Sequence, residues 1–248
     1  MHGRGKTTQE TRKRFSRRRI LGTLGGAVGV AVAGACGGSS PTGTSEAASS
    51  TTTSPSAVAS GTCAVTPSET AGPYPSRSDV FRSDITEGKD GLPLTLTITV
   101  VNAASGCRPV AGAQVEIWQC DAAGRYSEYN QPGYDGTAAT FLRGIQTADP
   151  SGRVTFETIY PGWYAGRATH VHVEVKVGGR SVKVTQIAFP ESVSAAVYAN
   201  GVYAAKGTNP TTNASDGVFA DGALSEMASL AGSPTAGYTA TFTVGVSV

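Results

Sequence analysis

The sequence predicts an all-β fold: a single β-sandwich with long loops, preceded by a disordered tether. Three observations carry this. Thr and Val recur in short alternating runs, helical periodicity is scarce, and Gly, Asn, Asp and Pro turn signals interrupt the runs at short intervals. The 186 residues from Cys63 to Val248 suit one domain with a core of its own. Ahead of them the composition changes abruptly to Ser, Thr, Gly, Ala and Pro.

The first 35 residues read as a leader rather than as part of the fold. Eight of the twenty basic residues fall before Ile20, and Ser16-Arg17-Arg18-Arg19-Ile20-Leu21 carries a twin-arginine pattern. The apolar run that follows, Ile20 to Ala35, is short and glycine-rich, whereas a membrane span needs about twenty apolar residues. A basic segment before such a run is a secretory signal, here of the bacterial twin-arginine type. Ala33-Gly34-Ala35-Cys36-Gly37 resembles a lipobox, with Ala33 where Leu is usual. Residues 36–62 therefore read as a lipobox cysteine and a Ser/Thr-rich linker too polar to offset its chain entropy. A flexible chain of this length would hold a domain about 28 Å from its anchor. The expected location is outside the cell, as a surface lipoprotein anchored through Cys36 or as a released protein.

Removing the leader changes the charge. Of 20 basic and 18 acidic residues, 12 and 17 remain, so the mature chain is near −5. With no basic patch, nucleic-acid binding is set aside.

Alternating runs place strands at Leu94–Val101, Ala113–Trp118, Arg153–Thr158, His170–Val177, Val182–Phe189 and Tyr238–Val248, with a turn at Thr147–Gly152. Cys63, Cys107 and Cys120 lie in the domain, and an exported chain favours disulfides. If residues 110–119 form one strand, Cys107 and Cys120 sit at its opposite ends, beyond the roughly 7 Å bridging limit. That favours a pair involving Cys63, with the partner left open.

The functional expectation rests on the strand His170-Val171-His172-Val173-Glu174-Val175-Lys176-Val177. Side chains two apart share a face, so His170 and His172 point one way while Val171, Val173, Val175 and Val177 point into the core. The chain has three histidines, and His2 lies in the leader. Two imidazoles on a rigid strand make half of a metal site; the bland alternative is a pair of partly exposed surface histidines.

Further motifs surround this strand. Pro109-Val110-Ala111-Gly112-Ala113-Gln114-Val115 is similar to a segment common in transthyretin-like sandwiches. Asp121-x-x-Gly124-x-Tyr126, Pro161-Gly162-x-Tyr164, Arg167-x-x-His170-x-His172 and Thr185-Gln186-Ile187 follow in that order. Together they resemble the intradiol ring-cleavage dioxygenases, the catechol and protocatechuate dioxygenase family. The segment Thr66-Pro67-Ser68-Glu69-Thr70-Ala71-Gly72-Pro73-Tyr74-Pro75 is similar to that family's opening segment, and the resemblance covers about residues 63–222. Classical members have a longer loop before the first histidine and a Pro where Ala168-Thr169 stands here. The chain looks like an exported bacterial branch of the family.

The resemblance implies that Tyr126, Tyr164, His170 and His172 are the protein ligands of a mononuclear non-haem iron(III). Two hard, anionic phenolates suit a ferric ion, and no thiolate is in the set. Zinc at the two histidines would look to Glu174 for a further ligand. The implied reaction opens a catechol-type ring with O2 to a cis,cis-muconate type diacid, without reductant or organic cofactor. Tyr164 is the ligand expected to leave and Tyr126 the one to stay. Arg167 is expected to stabilise negative charge on the ring, Gln186 to assist by hydrogen bonding (the alternative being a polar residue on a strand face), and Tyr74 to line the pocket. Tyr129, Tyr134 and Tyr160 read as structural, and Phe141-Leu142-Arg143-Gly144, between the two ligand tyrosines, could shape the pocket but has no fixed role. The alternatives are a non-catalytic exported β-sandwich binding module and an iron- or copper-scavenging lipoprotein. A scavenger would be expected to carry spare His or Met. Substrate substituents and oligomeric state are not readable from the chain.

Overall fold

The computed structural model describes residues 63–248; the leader, Cys36 and the linker to residue 62 lie outside the described residues. Eleven strands and one helix follow in order. They are β1 (Pro93–Asn102), β2 (Arg108–Pro109), β3 (Gln114–Trp118), β4 (Asn130–Gln131), β5 (Tyr134–Asp135), β6 (Arg143–Thr147) and β7 (Arg153–Ile159). After these come β8 (His170–Val177), β9 (Arg180–Ala188), α1 (Glu191–Tyr198), β10 (Ser229–Ser233) and β11 (Gly237–Val246). One sheet runs β10-β11-β1, with β2 and β7 both pairing the far side of β1. The other runs β6-β3-β8-β9, and β4-β5 is a small hairpin. All pairs are antiparallel except β1 with β11, which pair in parallel over Leu94↔Tyr238 to Asn102↔Val246.

Alternation decides which side chains fill the sandwich. Leu94, Leu96, Ile98 and Val100 of β1 meet Val171, Val173 and Val175 of β8 in one buried cluster with Val115, Ile117, Phe156, Phe242 and Val244. Each such side chain contributes roughly 1.5–3 kcal/mol relative to its exposed state. Val177 packs against this cluster only partly buried, beyond an irregularity in the β8–β9 register at Val175/Lys176.

The six expected strands form within a residue or two of their expected ends, β8 at the expected residues. The short strands β2, β4, β5 and β10 were not expected, and three further features differ from expectation. The stretch Thr147–Gly152 is not all turn: Thr147 ends β6, and the turn itself is built by Asp149, whose Oδ1 accepts from the N–H of Ser151 and Arg153. Strand β6 has no clean alternation because Gly144 sits where a Cβ would lie 2.5 Å from Ile85 Cγ2. The helix α1 buries only Ser194, Val197 and Tyr198, too few to print a periodicity. Cys63 bridges Cys107, with Cα atoms 5.7 Å apart, and Cys120 is a buried free thiol.

The segment before β1 leaves the first sheet, where Thr66 N–H donates to Gly245 O of β11 (2.9 Å), and straps the second: Glu69 N–H donates to Val184 O (2.9 Å) and Arg82 N–H to Ile145 O (3.2 Å). It thus crosses from the β9 edge to the β6 edge over the outer face of β6-β3-β8-β9 and covers one end of it.

Candidate metal centre

Under that strap, Trp118, His172 and Gln186 stand directly beside one another across β3, β8 and β9. All three are buried, as is His170 two residues up the strand. The two histidines are therefore not surface residues. The Trp118 indole lies flat on the His172 ring, with centroids 4.9 Å apart and planes 2° from parallel, which fixes the imidazole's tilt. Gly72 of the strap comes so close that a Cβ there would lie 2.9 Å from His172 Cε1; its φ of +71° also favours glycine.

The two tyrosines arrive on loops whose glycines are sterically required. Asp121 Oδ1 accepts from the N–H of Ala123 and Arg125, closing the turn that delivers Tyr126. A Cβ on Gly124 would lie 2.1 Å from Trp163 O, and one on Gly162 would lie 2.2 Å from Asp121 O. The Asp-x-x-Gly-x-Tyr and Pro-Gly-x-Tyr loops therefore pack backbone to backbone, and this brings the Tyr126 and Tyr164 rings to 5.7 Å between centroids.

Four potential donor atoms converge. Tyr164 Oη is 3.2 Å from His170 Nε2, which is 3.2 Å from His172 Nε2. His170 Nδ1 donates to Ala168 O at 2.6 Å, so its Nε2 carries the lone pair in the neutral ring. Tyr126 Oη and His172 Nδ1 are buried and make no hydrogen bond of ordinary geometry among the described residues. Burial, with Arg167 adding to it, pushes the His170 pKa down to about 3. Burial, His170 and Arg167 push His172 well below its usual value. The Tyr126 phenol is driven well above its usual value, chiefly by burial and further by Cys120 and Tyr164, while Tyr164 is raised by burial against the pull of Arg167. The site thus holds neutral imidazoles, with the His170 lone pair facing His172 and Tyr164, and a buried phenol whose neighbour is the Tyr164 hydroxyl. That donor set fits a hard, highly charged cation, which would draw off the phenolic protons.

Strand β8 starts at His170, so Arg167 lies before it and is free to turn inward. Its Nε donates to both oxygens of Asp216 (3.1 and 2.9 Å), one Nη donates to Gln186 Oε1, and the other is 3.4 Å from Tyr164 Oη and 3.5 Å from His170 Nε2. Gln186 Nε2 in turn donates to Thr70 O of the strap at 2.8 Å. Tyr74 stacks over Tyr126 with centroids 4.8 Å apart and faces Tyr164 at 6.4 Å. All seven residues singled out from the sequence (Tyr74, Tyr126, Tyr164, Arg167, His170, His172 and Gln186) lie in one locality. Glu174 does not join them; it lies farther along β8 and pairs with Lys176 (3.4 Å). Tyr160 is a core residue bonded to Ser194, whereas Tyr129 flanks Tyr74 and donates to Pro75 O.

Three contributors escaped the sequence reading. Asp216, buried and 49 residues from Arg167, also accepts from Ala168 N–H (2.7 Å) and Val218 N–H (2.9 Å). Trp118 is the stacking platform. Arg143 donates to Ser127 Oγ, Ser127 O and Tyr74 O and pairs with Glu128 at 3.2 Å, tying the Tyr126 loop to the strap. No local pattern marks Asp216 or Arg143, since their partners are remote in sequence.

A sequence profile of the family described as Dioxygenase matches residues 69–207. The chain is similar in structure to an intradiol ring-cleavage dioxygenase from Tetranychus urticae, at 29% identity and a TM-score of 0.68, over 75% of this chain and 95% of that one. It is also similar to the dioxygenase domain of a dioxygenase carbohydrate-binding protein fusion from Streptomyces sp. SirexAA-E, at 28% identity and TM-score 0.56, over 75% of this chain and 99% of that one. Among curated proteins, it is 36% identical over 98 residues to catechol 1,2-dioxygenase of Candida albicans, over 32% of this chain and 31% of that protein. The chain spans less than half the length of the curated relatives it matches.

Proposed function

The chain belongs to the intradiol ring-cleavage dioxygenase family, and from that premise we propose that it cleaves catechol-type rings with O2 to cis,cis-muconate type diacids at a mononuclear iron(III). What supports this most is the convergence of Tyr126, Tyr164, His170 and His172 in one largely buried locality, with a pinned guanidinium beside them. The four side chains would hold the ion. When bound, it would supply a Lewis-acid centre for a catechol-type substrate and for the reaction of its electron-rich ring with O2.

The chain's own residues divide the remaining work. Tyr126 is fully buried beneath Tyr74 and so stays in place, whereas Tyr164 is half-buried and can swing away and carry off a substrate proton at its Oη. Arg167 cannot follow it, because Asp216 and Gln186 hold the guanidinium on both sides. It therefore presents fixed positive charge where the ring becomes anionic, with no reorganisation required at the moment of reaction. Gln186, itself held by Thr70 O, completes that wall. Tyr74 offers an aromatic flank for the substrate ring.

The test is a visible absorption spectrum of the iron-loaded protein, titrated with catechol without oxygen. A broad tyrosinate-to-iron band that shifts on adding catechol is the expected result; a protein that stays colourless with iron removes the proposal. Oxygen uptake across a panel of catechols then assigns the substrate. We also propose that residues 1–35 direct export and that residues 36–62 tether the domain through Cys36. Arg17→Lys with Arg18→Lys should retain the protein in the cell, and Cys36→Ala should release it from membranes.

A further inference from the structure

A second cluster of hard oxygen donors lies outside the proposed iron site. Glu69 of the strap, Asp221 of the loop after Asp216 and Glu226 of a 3₁₀ turn (Ala223–Glu226) each direct a carboxylate oxygen to one point, and these atoms all lie within 4.8 Å of one another. Their burial is graded: Asp221 is exposed, Glu69 is half-buried and Glu226 is fully buried. Glu226 Oε1 accepts from Thr185 Oγ1 (2.9 Å) and the Gln186 backbone N–H also bears on this carboxylate, while Oε2 is buried and makes no hydrogen bond of ordinary geometry. A buried carboxylate with so few donors is costly, and two neighbouring carboxylates raise that cost.

Protein cations do not relieve it. Among the described residues, no Lys or Arg makes an ion pair with any of the three. The two basic groups whose charge is felt there are committed elsewhere. Lys183 donates to Thr66 O and Ser68 Oγ, both at 2.7 Å, and Arg167 is held by Asp216 and Gln186. Burial pushes the Glu226 carboxyl up to about 7, with Glu69 and Asp221 adding to the shift, and burial and Asp221 raise Glu69 as well.

We propose that Glu69, Asp221 and Glu226 form a binding site for a hard divalent cation, calcium in preference to magnesium. Three carboxylates carried by a strap, a loop and a short turn offer an adjustable, all-oxygen shell, which suits the larger ion; magnesium demands near-ideal octahedral geometry. Glu226, the most buried of the three, supplies the innermost ligand, and the exposed Asp221 leaves a side open to water ligands and ion entry. The site joins the strap to the loop. Glu69 is next to Thr70, whose carbonyl holds Gln186, and Asp221 is five residues from Asp216, which holds Arg167. An ion here would fix both supports of that wall at once. The inference does not depend on what the tyrosine–histidine cluster binds.

The test uses the full chain, iron-loaded, in chelator-free buffer. Calcium chloride is titrated by calorimetry and its effect on Tm is followed, with magnesium chloride and sodium chloride as controls. One calcium per chain should bind, with Tm rising by roughly 3–6 °C at tenfold excess over Kd and the iron content unchanged. Asp221→Asn, at an exposed position that leaves folding intact, should weaken binding at least tenfold, and Glu226→Gln should abolish it. An absent Tm shift, an equal response to sodium, release of iron on adding calcium, or a response kept in both variants would each overturn the site.

Discussion

The outer face of the β6-β3-β8-β9 sheet holds two opposite solutions to the same alternation. At one end, Trp118, His172 and Gln186 lie under the strap, buried, with polar atoms left unpaired. At the other, Glu116, Glu174 and Lys176 share the face, and Lys176 Nζ meets Glu116 at 3.0 Å and Glu174 at 3.4 Å in a partly solvated cluster. The strands are the same and the polar spacing is the same; the difference is the cover laid by residues 66–77 and the two tyrosine loops. Where water reaches the sheet, polar side chains satisfy one another. Where it is excluded, they wait for a ligand.

The sharpest way to break the contrast is at the covered end. His172→Ala, or Tyr126→Phe, should abolish stoichiometric iron binding and the visible band, read by metal analysis and absorbance, while far-UV circular dichroism stays unchanged. Next in size is the anchor beneath it. Glu128→Ala leaves the Arg143 charge buried without its partner and should cost about 3–5 kcal/mol in denaturant unfolding. Asp216→Asn keeps the shape but loosens Arg167. It should lower kcat about 10–100-fold with iron content retained, the range for a residue that orients a metal site from behind; Asp216→Glu should recover part of that loss, which a purely structural role would not give. The smallest effect belongs to the open end: Lys176→Ala should change stability by no more than about 1 kcal/mol and leave iron and turnover alone. Equal losses at the two ends would erase the distinction.

The same contrast explains what was legible in the chain. Strand β8 was readable because alternation is local, and the glycine-marked tyrosine loops were readable because tight backbone approach demands glycine at fixed spacing. The ligand-type residues could therefore be named, with Arg167 and Gln186. What holds them could not. Asp216 meets Arg167 across 49 residues and Arg143 meets Tyr74 across 69, distances at which sequence carries no spacing signal. The helix α1 and strand β6 were missed because each buries too few residues, or too irregular a set, to display a period. The Cys63–Cys107 bridge was half legible: spacing disfavoured one pairing without choosing the other.

The parallel pairing of β1 with β11 has a consequence for how the protein comes into being. Residue 94 finds its sheet neighbour at residue 238, so an inner strand of the sandwich stands half-paired until nearly all the described chain has left the ribosome. Contacts this remote in sequence make for slow closure and an unpaired edge in the meantime. Closure of this sheet therefore waits for Gly237–Val246 rather than accompanying the synthesis of β1. Shortening the chain within Gly237–Val246 should leave β1 without one neighbour and yield an aggregating product rather than a smaller enzyme.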